Sequence, residues 1–494
     1  MNRSILIVTP FFAPQSHAAV FRAYKLAKYL PQFGWKPYVL TVDRNYLYNE
    51  DPTLLEDLPA EVEVTTARYI EPSLRGLRMA LGGRDRTFAG LKSERGLAPY
   101  EGSKGGTSRS GGIGRVRDYL LRRWVQTPDA HWTWYGPAVR AARQLIRRHE
   151  IPLVYTSADP FTSHKIGRTL QREGCRWIAD LRDPHAYCGR MHSRYPAVYA
   201  RQRQLERDAV LRADAVTVAS SAIAMILADS YGIEALDRTH FIPTGLDENL
   251  VPAGDQPRPR PFPYLLFSGE FLSEYGPEFL EIFASALLRP GVRALGAKLL
   301  VVGRLNVNGP QLEPIVRRLG LESHVEFVDH VPQRELYRLL QGAEAGVLIS
   351  SRRSHWWCLY AKLVDYIAMR KTVVSILPDP SEARTRLSDA GLGLFLDGDR
   401  EACASKLADF LVGRTARPIP SAAACDRFLA NEQVRTFARL FDDLIGGGDS
   451  DPVTACHTAA AYIAQGGGRV QLGLWEGDAA APVSCPKARL PVEV

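Results

Sequence analysis

The sequence contains few cysteines, and they are not arranged as a metal site or a redox motif. Its 494 residues include seven cysteines, none of which forms a C-x-x-C pair or a zinc-like cluster with another. An odd number of scattered cysteines is typical of reduced thiols rather than of a disulfide framework. The sequence therefore predicts a cytoplasmic protein that binds no metal.

Long apolar runs are also missing. No segment approaches the roughly 18 to 20 apolar residues that a membrane-spanning helix needs. The start of the chain could pass for a short signal peptide, but Pro10 and Pro14 interrupt the apolar pattern. We therefore expect a buried first strand at 5–8 and no membrane span.

Positive charge exceeds negative charge, and the excess is concentrated in one segment. The formal net charge is +8, and residues 75–123 hold twelve lysines and arginines against four acids. Because its middle, 102–114, is rich in glycine and serine, we predict that 75–123 is a flexible basic insertion. It is either a solvated loop or a surface that contacts an anionic membrane or steers a phosphorylated acceptor. No nucleic-acid-binding module frames the charge, so nucleic acid is not expected as a partner.

Short apolar runs alternate with helical patterns, and the alternation begins again halfway along the chain. In the first half, strands are predicted at 5–8, 38–42, 61–66 and 153–157 and within 177–184, 213–220 and 240–247. In the second half they are predicted at 264–269, 298–304, 325–328, 346–350, 372–376 and 392–396. This order predicts two α/β domains of doubly wound type in tandem, which suits the length of the chain.

The domain boundary is predicted at a proline-rich stretch. Residues 251–263 contain five prolines and several charges, which is typical of a linker. We expect an N-terminal domain at 1–250 and a C-terminal domain at 264–445. A helix over 422–444 is expected to cross back onto the first domain, and 446–494 is expected to be a poorly ordered tail.

The stretch 355–376 combines a helical pattern with two opposite charges. Lys362 and Asp365 are three residues apart, so they share one face of a predicted helix that leads into the β-branched run 372–376. Charges at this spacing either form a solvated ion pair or bind a polyanionic ligand together. The spacing alone leaves both interpretations open.

Several motifs in order resemble one enzyme family. Segment 361–374, Ala-Lys-Leu-Val-Asp-Tyr-Ile-Ala-Met-Arg-Lys-Thr-Val-Val, resembles the P-x-K-hydrophobic-x-E-Y-L-A-x-G-K-P-hydrophobic segment of GT-B glycosyltransferases of the GT4-like branch. Segment 177–184 is similar to their W-x-x-D-x-R-D-P motif, and the resemblance covers about residues 4–445 outside the insertion. It implies the GT-B fold, in which two Rossmann-like domains face a central cleft.

The resemblance also implies an activity. Enzymes of this kind, which are hexosyltransferase-like, move a sugar from a nucleotide-diphosphate sugar with retention of configuration, and they need no metal or other cofactor. By the same resemblance, we expect the acceptor to be a polysaccharide or a lipid-linked glycan of the cell envelope. The basic insertion would then allow peripheral contact with the inner face of the membrane.

The resemblance assigns donor-binding residues in the second half. Asp365 stands where the family has the acid that binds the donor ribose. Gly269 follows a predicted strand and allows close approach of the backbone to the diphosphate. Arg304 and Lys362 would supply the positive charge that stabilises the leaving diphosphate, and both are therefore also candidate catalytic residues.

The first half provides the other candidates. Arg182 and Asp183 follow a predicted strand, where ligands of open α/β sheets gather, and are candidate catalytic residues. A buried structural Arg–Asp bridge is the alternative. By the same resemblance, Arg22, Trp132 and Trp134 are candidates for the acceptor side, although a surface arginine and core tryptophans would explain them as well.

The chain departs from the family pattern at several places, which keeps other functions open. His17-Ala18-Ala19 replaces paired glycines, Tyr275-Gly276 replaces Lys-Gly, Glu270 adds negative charge, and Trp357 replaces the first acid of the E-x7-E pair. A non-catalytic GT-B-like binding protein is therefore one alternative. A nucleotide-sugar 2-epimerase is another, and it would need carboxylates and a histidine together in the cleft.

Overall fold

The structure is a computed structural model that describes residues 2–15, 18–43, 51–72, 127–188, 196–254, 259–271, 277–350 and 355–446. The predicted basic insertion at 75–123 and the predicted tail beyond residue 446 lie outside the described residues. So do His17 and the pair Tyr275-Gly276.

In the described part of the first half, seven parallel strands form a sheet in the order β3-β2-β1-β4-β5-β6-β7. The apolar run of β1 is buried throughout, as expected for a central strand covered on both faces. The strands are β1 Ser4–Val8, β2 Lys36–Val42, β3 Glu63–Ala67, β4 Leu153–Ala158, β5 Arg176–Leu181, β6 Ala215–Val218 and β7 Thr239–Phe241. The sheet order reverses between β1 and β4, which pair in parallel with Ile7 opposite Tyr155.

Helices cover both faces of this sheet. Val20 and Leu26 of the first helix pack on one face, while Val139 and Ile166 pack on the other. The α-helices are α1 Ala18–Tyr29, α2 Thr53–Glu56, α3 Tyr135–His149, α4 Phe161–Gln171, α5 His185–Cys188, α6 Pro196–Arg212 and α7 Ser221–Tyr231. Short 3-10 helices are Leu30–Phe33, Trp132–Trp134, Ile233–Arg238 and Glu248–Leu250.

The second half repeats this plan, and its described residues form six parallel strands in the order β10-β9-β8-β11-β12-β13. The strands are β8 Tyr264–Ser268, β9 Lys298–Val302, β10 Val325–Val328, β11 Ala345–Ile349, β12 Val373–Ile376 and β13 Gly393–Phe395. The helices are α8 Glu278–Leu287, α9 Pro290–Leu295, α10 Leu305–Arg318, α11 Gln333–Gly342, α12 Ala361–Ala368, α13 Glu382–Ala390, α14 Arg400–Leu411, α15 Ala422–Asp426 and α16 Ala430–Gly446. The order reverses between β8 and β11, where ligands of such sheets bind.

The C-terminal helix returns to the first sheet, but the predicted continuous helix over 422–444 is two helices. Val434 and Phe437 of α16 pack into the cluster that contains Ile5. The helix is interrupted before α16 because the backbone there bonds to Leu246 of the first half. Leu246 N donates to Phe428 O over 2.7 Å, and Ala430 N donates to Leu246 O over 2.7 Å.

No helix within the described ranges combines the length and the apolar character that a membrane span requires.

Candidate functional site

The helix predicted around Lys362 and Asp365 is α12. Leu363, Val364 and Ile367 are buried in the core of the second domain, whereas Lys362 and Asp365 are partly buried at the domain surface. Both residues lie on this helix, three positions apart, as the sequence predicted. Within the part of the chain that the structure describes, no ion pair joins Lys362 to Asp365.

Lys362 lies against the carboxyl end of β8. Its ammonium is 3.7 Å from the ring centre of Phe267, the penultimate residue of that strand. A Cβ built on Gly269 would lie 3.6 Å from Lys362 Nζ. Burial lowers the pKa of Lys362 to about 7, and the charge of Glu270 opposes this shift. A bound anion would favour the protonated ammonium for the same electrostatic reason.

Arg304 reaches the same position from the neighbouring strand. It directly precedes α10, and its guanidinium forms an ion pair with the carboxylate of Glu270. The two strand ends touch, because a Cβ on Gly303 would lie only 2.4 Å from Gly269 O. The structure therefore brings Gly269, Arg304 and Lys362 together at the edge where β8 and β9 end.

The loop after β8 is fixed by a buried asparagine. Asn308 Nδ2 of α10 donates to Gly269 O over 3.0 Å, and Phe271 N donates to Asn308 Oδ1 over 2.8 Å. Gly269 N also donates to Val302 O over 2.8 Å. Backbone groups on both sides of Glu270 are therefore held in place.

Asp365 lies one turn further along α12 and faces the first domain. Tyr337 donates to Asp365 Oδ1 over 3.1 Å. Burial raises the pKa of Asp365 to about 6, and the positive charge of Lys25 of α1 opposes this shift. Lys25 is itself buried and donates to Gly245 O. An ionised carboxylate at this position could accept hydrogen bonds from ligand hydroxyls.

The segment before α12 crosses to the first domain. Trp357 is buried and packs into a cluster formed mainly by first-domain residues, including Phe161 and Trp177. Ser220 Oγ donates to Trp357 O over 2.6 Å. Trp357, which stands at the position of the first acid of the E-x7-E pattern, thus forms a hydrophobic contact between the two domains.

A buried polar network lies beside this contact. Glu382 of α13 accepts hydrogen bonds from Ser221 Oγ over 2.7 Å and from the backbone amides of Ser221 and Ala222. Arg386 Nε donates to Glu382 Oε1 over 3.0 Å, and Arg386 Nη2 donates to Ser221 Oγ over 2.9 Å. We call Ser221, Trp357, Glu382 and Arg386 the interdomain clasp.

The predicted first-domain residues have different environments. Arg182 donates to the carbonyls of Ala158 and Asp159 over 2.7 and 2.9 Å, so it supports the loop after β4. Asp183 is exposed at the carboxyl end of β5. Neither residue is among the second-domain groups around Lys362, and their catalytic role stays a prediction.

Arg22 requires a correction, because the structure places it in the core. Its guanidinium is 1% exposed and donates to Asp180 over 2.7 to 3.0 Å and to Ile242 O over 2.8 Å. Burial alone would raise the pKa of Asp180, but Arg22 holds it below its usual value. A side chain engaged in this way does not face an acceptor. The buried Arg–Asp bridge considered for Arg182 exists, but Arg22 and Asp180 form it.

The two tryptophans that were predicted for the acceptor side differ in burial. Trp134 is fully buried in the core between the first sheet and its helices, so its acceptor-side assignment is corrected. Trp132 is 44% exposed and stays a candidate.

Sequence reasoning missed Lys25 and the Glu382–Arg386 pair. The i,i+4 spacing of the latter is visible in the sequence, but its burial against another domain is not. Within the described ranges, no three His, Cys, Asp or Glu side chains converge on a position that could hold a metal ion.

The two parallel sheets are each of doubly wound type, and the contacts of Trp357 and Glu382 join the two domains. This architecture is the GT-B fold that the sequence predicted. Sucrose-phosphate synthase from Thermosynechococcus elongatus has a TM-score of 0.56 at 15% identity, covering 90% of this chain and 100% of its own. α,α-Trehalose 6-phosphate synthase from Burkholderia multivorans has a TM-score of 0.51 at 14% identity, covering 95% of this chain and 99% of its own. No family model matches the chain, and the search of curated proteins found no match.

Proposed function

We propose that the protein is a glycosyltransferase that moves a hexose-type sugar from a nucleotide-diphosphate sugar to an acceptor, with retention of configuration. The proposal rests on one observation: Lys362 and Arg304 lie together beside Gly269 and Gly303, the glycines that directly follow β8 and β9. The donor diphosphate would bind there and the ribose would bind at Asp365. The GT-B fold of the chain and its structural neighbours support this assignment.

The role of Arg304 and Lys362 follows from the negative charge that develops during sugar transfer. Departure of the nucleoside diphosphate leaves negative charge on the terminal phosphate, and cations fixed before the reaction stabilise it without reorganising. Arg304 offers two N–H groups to phosphate oxygens, and Lys362 offers a point charge. No cofactor is needed for this step, so the nucleotide sugar is a substrate and the only small molecule required.

The proposals for the acceptor and for the location of the protein are based on the sequence. We propose a cell-envelope polysaccharide or a lipid-linked glycan as acceptor, bound on the first domain near Arg182, Asp183 and Trp132. We also propose a cytoplasmic protein whose basic segment at 75–123 contacts the inner face of the membrane. The support for this segment is its excess of positive charge.

The test is thermal stability with UDP, GDP, ADP and their sugars. Nucleotides that carry one of the three bases should raise the Tm of the wild type, since a ligand at 100 times its Kd stabilises the native state by about 2.7 kcal/mol. Lys362→Ala and Asp365→Asn should lose this shift. Lys298→Ala is the matched control, because Lys298 also lies over a phenylalanine, at 4.5 Å from Phe262, but at the opposite end of its strand. No shift with any nucleotide would refute the proposal.

A second candidate is a non-catalytic GT-B-like protein that binds a glycan or a partner enzyme. Trp357 favours it, because a domain contact occupies the position of a family acid. Slow hydrolysis of the bound nucleotide sugar, or transfer to an added acceptor, would support the transferase. Binding without any loss of the nucleotide sugar over hours would support the binding protein.

A further inference from the structure

We infer that Glu270 discriminates between the nucleotide-sugar donor and the free nucleoside diphosphate, and that it favours release of the latter. This inference rests on the proposed function and concerns the same site. It begins with the observation that a carboxylate stands among the cations. Glu270 forms an ion pair with Arg304, and its charge also acts on Lys362.

The ion pair can open at little cost. The side chain of Arg304 is 40% exposed and that of Glu270 is 20% exposed. Ion pairs that solvent can reach contribute only about 0 to 1 kcal/mol. A diphosphate can therefore take the place of the Glu270 carboxylate on Arg304.

The displaced carboxylate cannot move far away. Gly269 and Phe271, on either side of Glu270, are held by Asn308 of α10, and Gly269 is also held by Val302 of β9. The Glu270 side chain can rotate, but its backbone is held on both sides. Its negative charge consequently stays near any phosphate that Arg304 and Lys362 bind.

This residual repulsion acts unequally on donor and product. The diphosphate of a nucleotide sugar is esterified at both ends and carries two negative charges. Loss of the sugar leaves a terminal phosphate whose second ionisation has a pKa near 6, so the product carries about one more charge at pH 7.5. Glu270 therefore weakens product binding more than donor binding.

The test is calorimetric titration of the wild type and Glu270→Gln with a nucleoside diphosphate and its sugar at pH 7.5. We expect the variant to bind the diphosphate about tenfold more tightly, which corresponds to about 1.4 kcal/mol. The nucleotide sugar should gain clearly less, so the ratio of the two Kd values should change. Glu326→Gln is the matched control, since Glu326 pairs with Arg260 at 2.8 Å with similar exposure but on β10. This control should change neither Kd.

Three outcomes would overturn the inference. Equal gains for both ligands would show that Glu270 does not discriminate, while nucleotide binding itself, and the proposed function, would stand. Unchanged Kd values in Glu270→Gln and in Glu270→Ala would have the same meaning. Absence of binding to the wild type and to both variants would refute the proposed function and this inference together.

Discussion

The interdomain clasp leads to a prediction about stability. Glu382 is buried and accepts hydrogen bonds from two backbone amides, one hydroxyl and the guanidinium of Arg386. Glu382→Ala removes the acceptor and leaves all of these donors in a buried interface. We expect this single truncation to destabilise the contact between the domains.

The magnitude follows from burial and from the remaining partners. Removing one partner of a buried ion pair costs about 3 to 5 kcal/mol. Arg386 keeps Asp389 at 3.0 Å and Ser221 Oγ at 2.9 Å, so the low end, about 3 kcal/mol, applies. For domains of this size, that loss lowers the Tm by about 6 to 12 °C.

The assay is differential scanning calorimetry of Glu382→Ala beside a control that removes a partner of another arginine of α13. Asp397→Ala removes a bidentate pair with Arg384, at 2.7 and 3.0 Å, in which Asp397 is 51% exposed. Such exposed pairs contribute at most about 1 kcal/mol, so the Tm of Asp397→Ala should fall by no more than about 4 °C. Equal Tm values for the two variants would show that Glu382 contributes no more to stability than an exposed ion pair does.

Two further predictions concern charge. Lys362 is charged below its pKa of about 7 and Asp365 is ionised above its pKa of about 6, so affinity for the nucleotide sugar, whose own charge is constant in this range, should peak between about pH 6 and 7 and fall on both sides. Lys362→Arg should remove the fall above pH 7, and a flat titration profile of the wild type would contradict the assignment. Arg22→Ala should lower the free energy of unfolding by about 3 to 5 kcal/mol, because it leaves Asp180 charged and buried. The measurement is a urea titration of both variants. Arg3→Ala, which breaks an exposed pair, should lower the free energy of unfolding by less than about 1 kcal/mol. Equal losses for the two variants would argue against a structural role for Arg22.

Much of the fold could be predicted from local pattern. Parallel strands that are buried on both faces appear as short apolar runs, and β1 and β8 are both of this kind. The helical spacing of Lys362 and Asp365 was also sufficient to place both charges on one face of α12. These features depend on neighbours in the sequence, which is why the sequence predicts them.

The site could be predicted only in part, because several of its contacts join distant residues. Arg22 and Asp180 are 158 residues apart, and nothing in the local sequence shows that the arginine is buried. Trp132 and Trp134 are two residues apart, yet one is exposed and the other is in the core. Trp357 packs on the opposite domain, a placement that follows from domain docking rather than from local pattern.

The most direct test of the central assignment is hydrogen–deuterium exchange of the unmodified protein with and without the nucleotide sugar that raises its Tm. We predict slower exchange in peptides that cover 264–271, 303–309 and 361–366, where β8, β9 and α12 present Gly269, Arg304 and Lys362. Protection confined to the carboxyl ends of β4 and β5 in the first domain would contradict binding of the donor at these three residues.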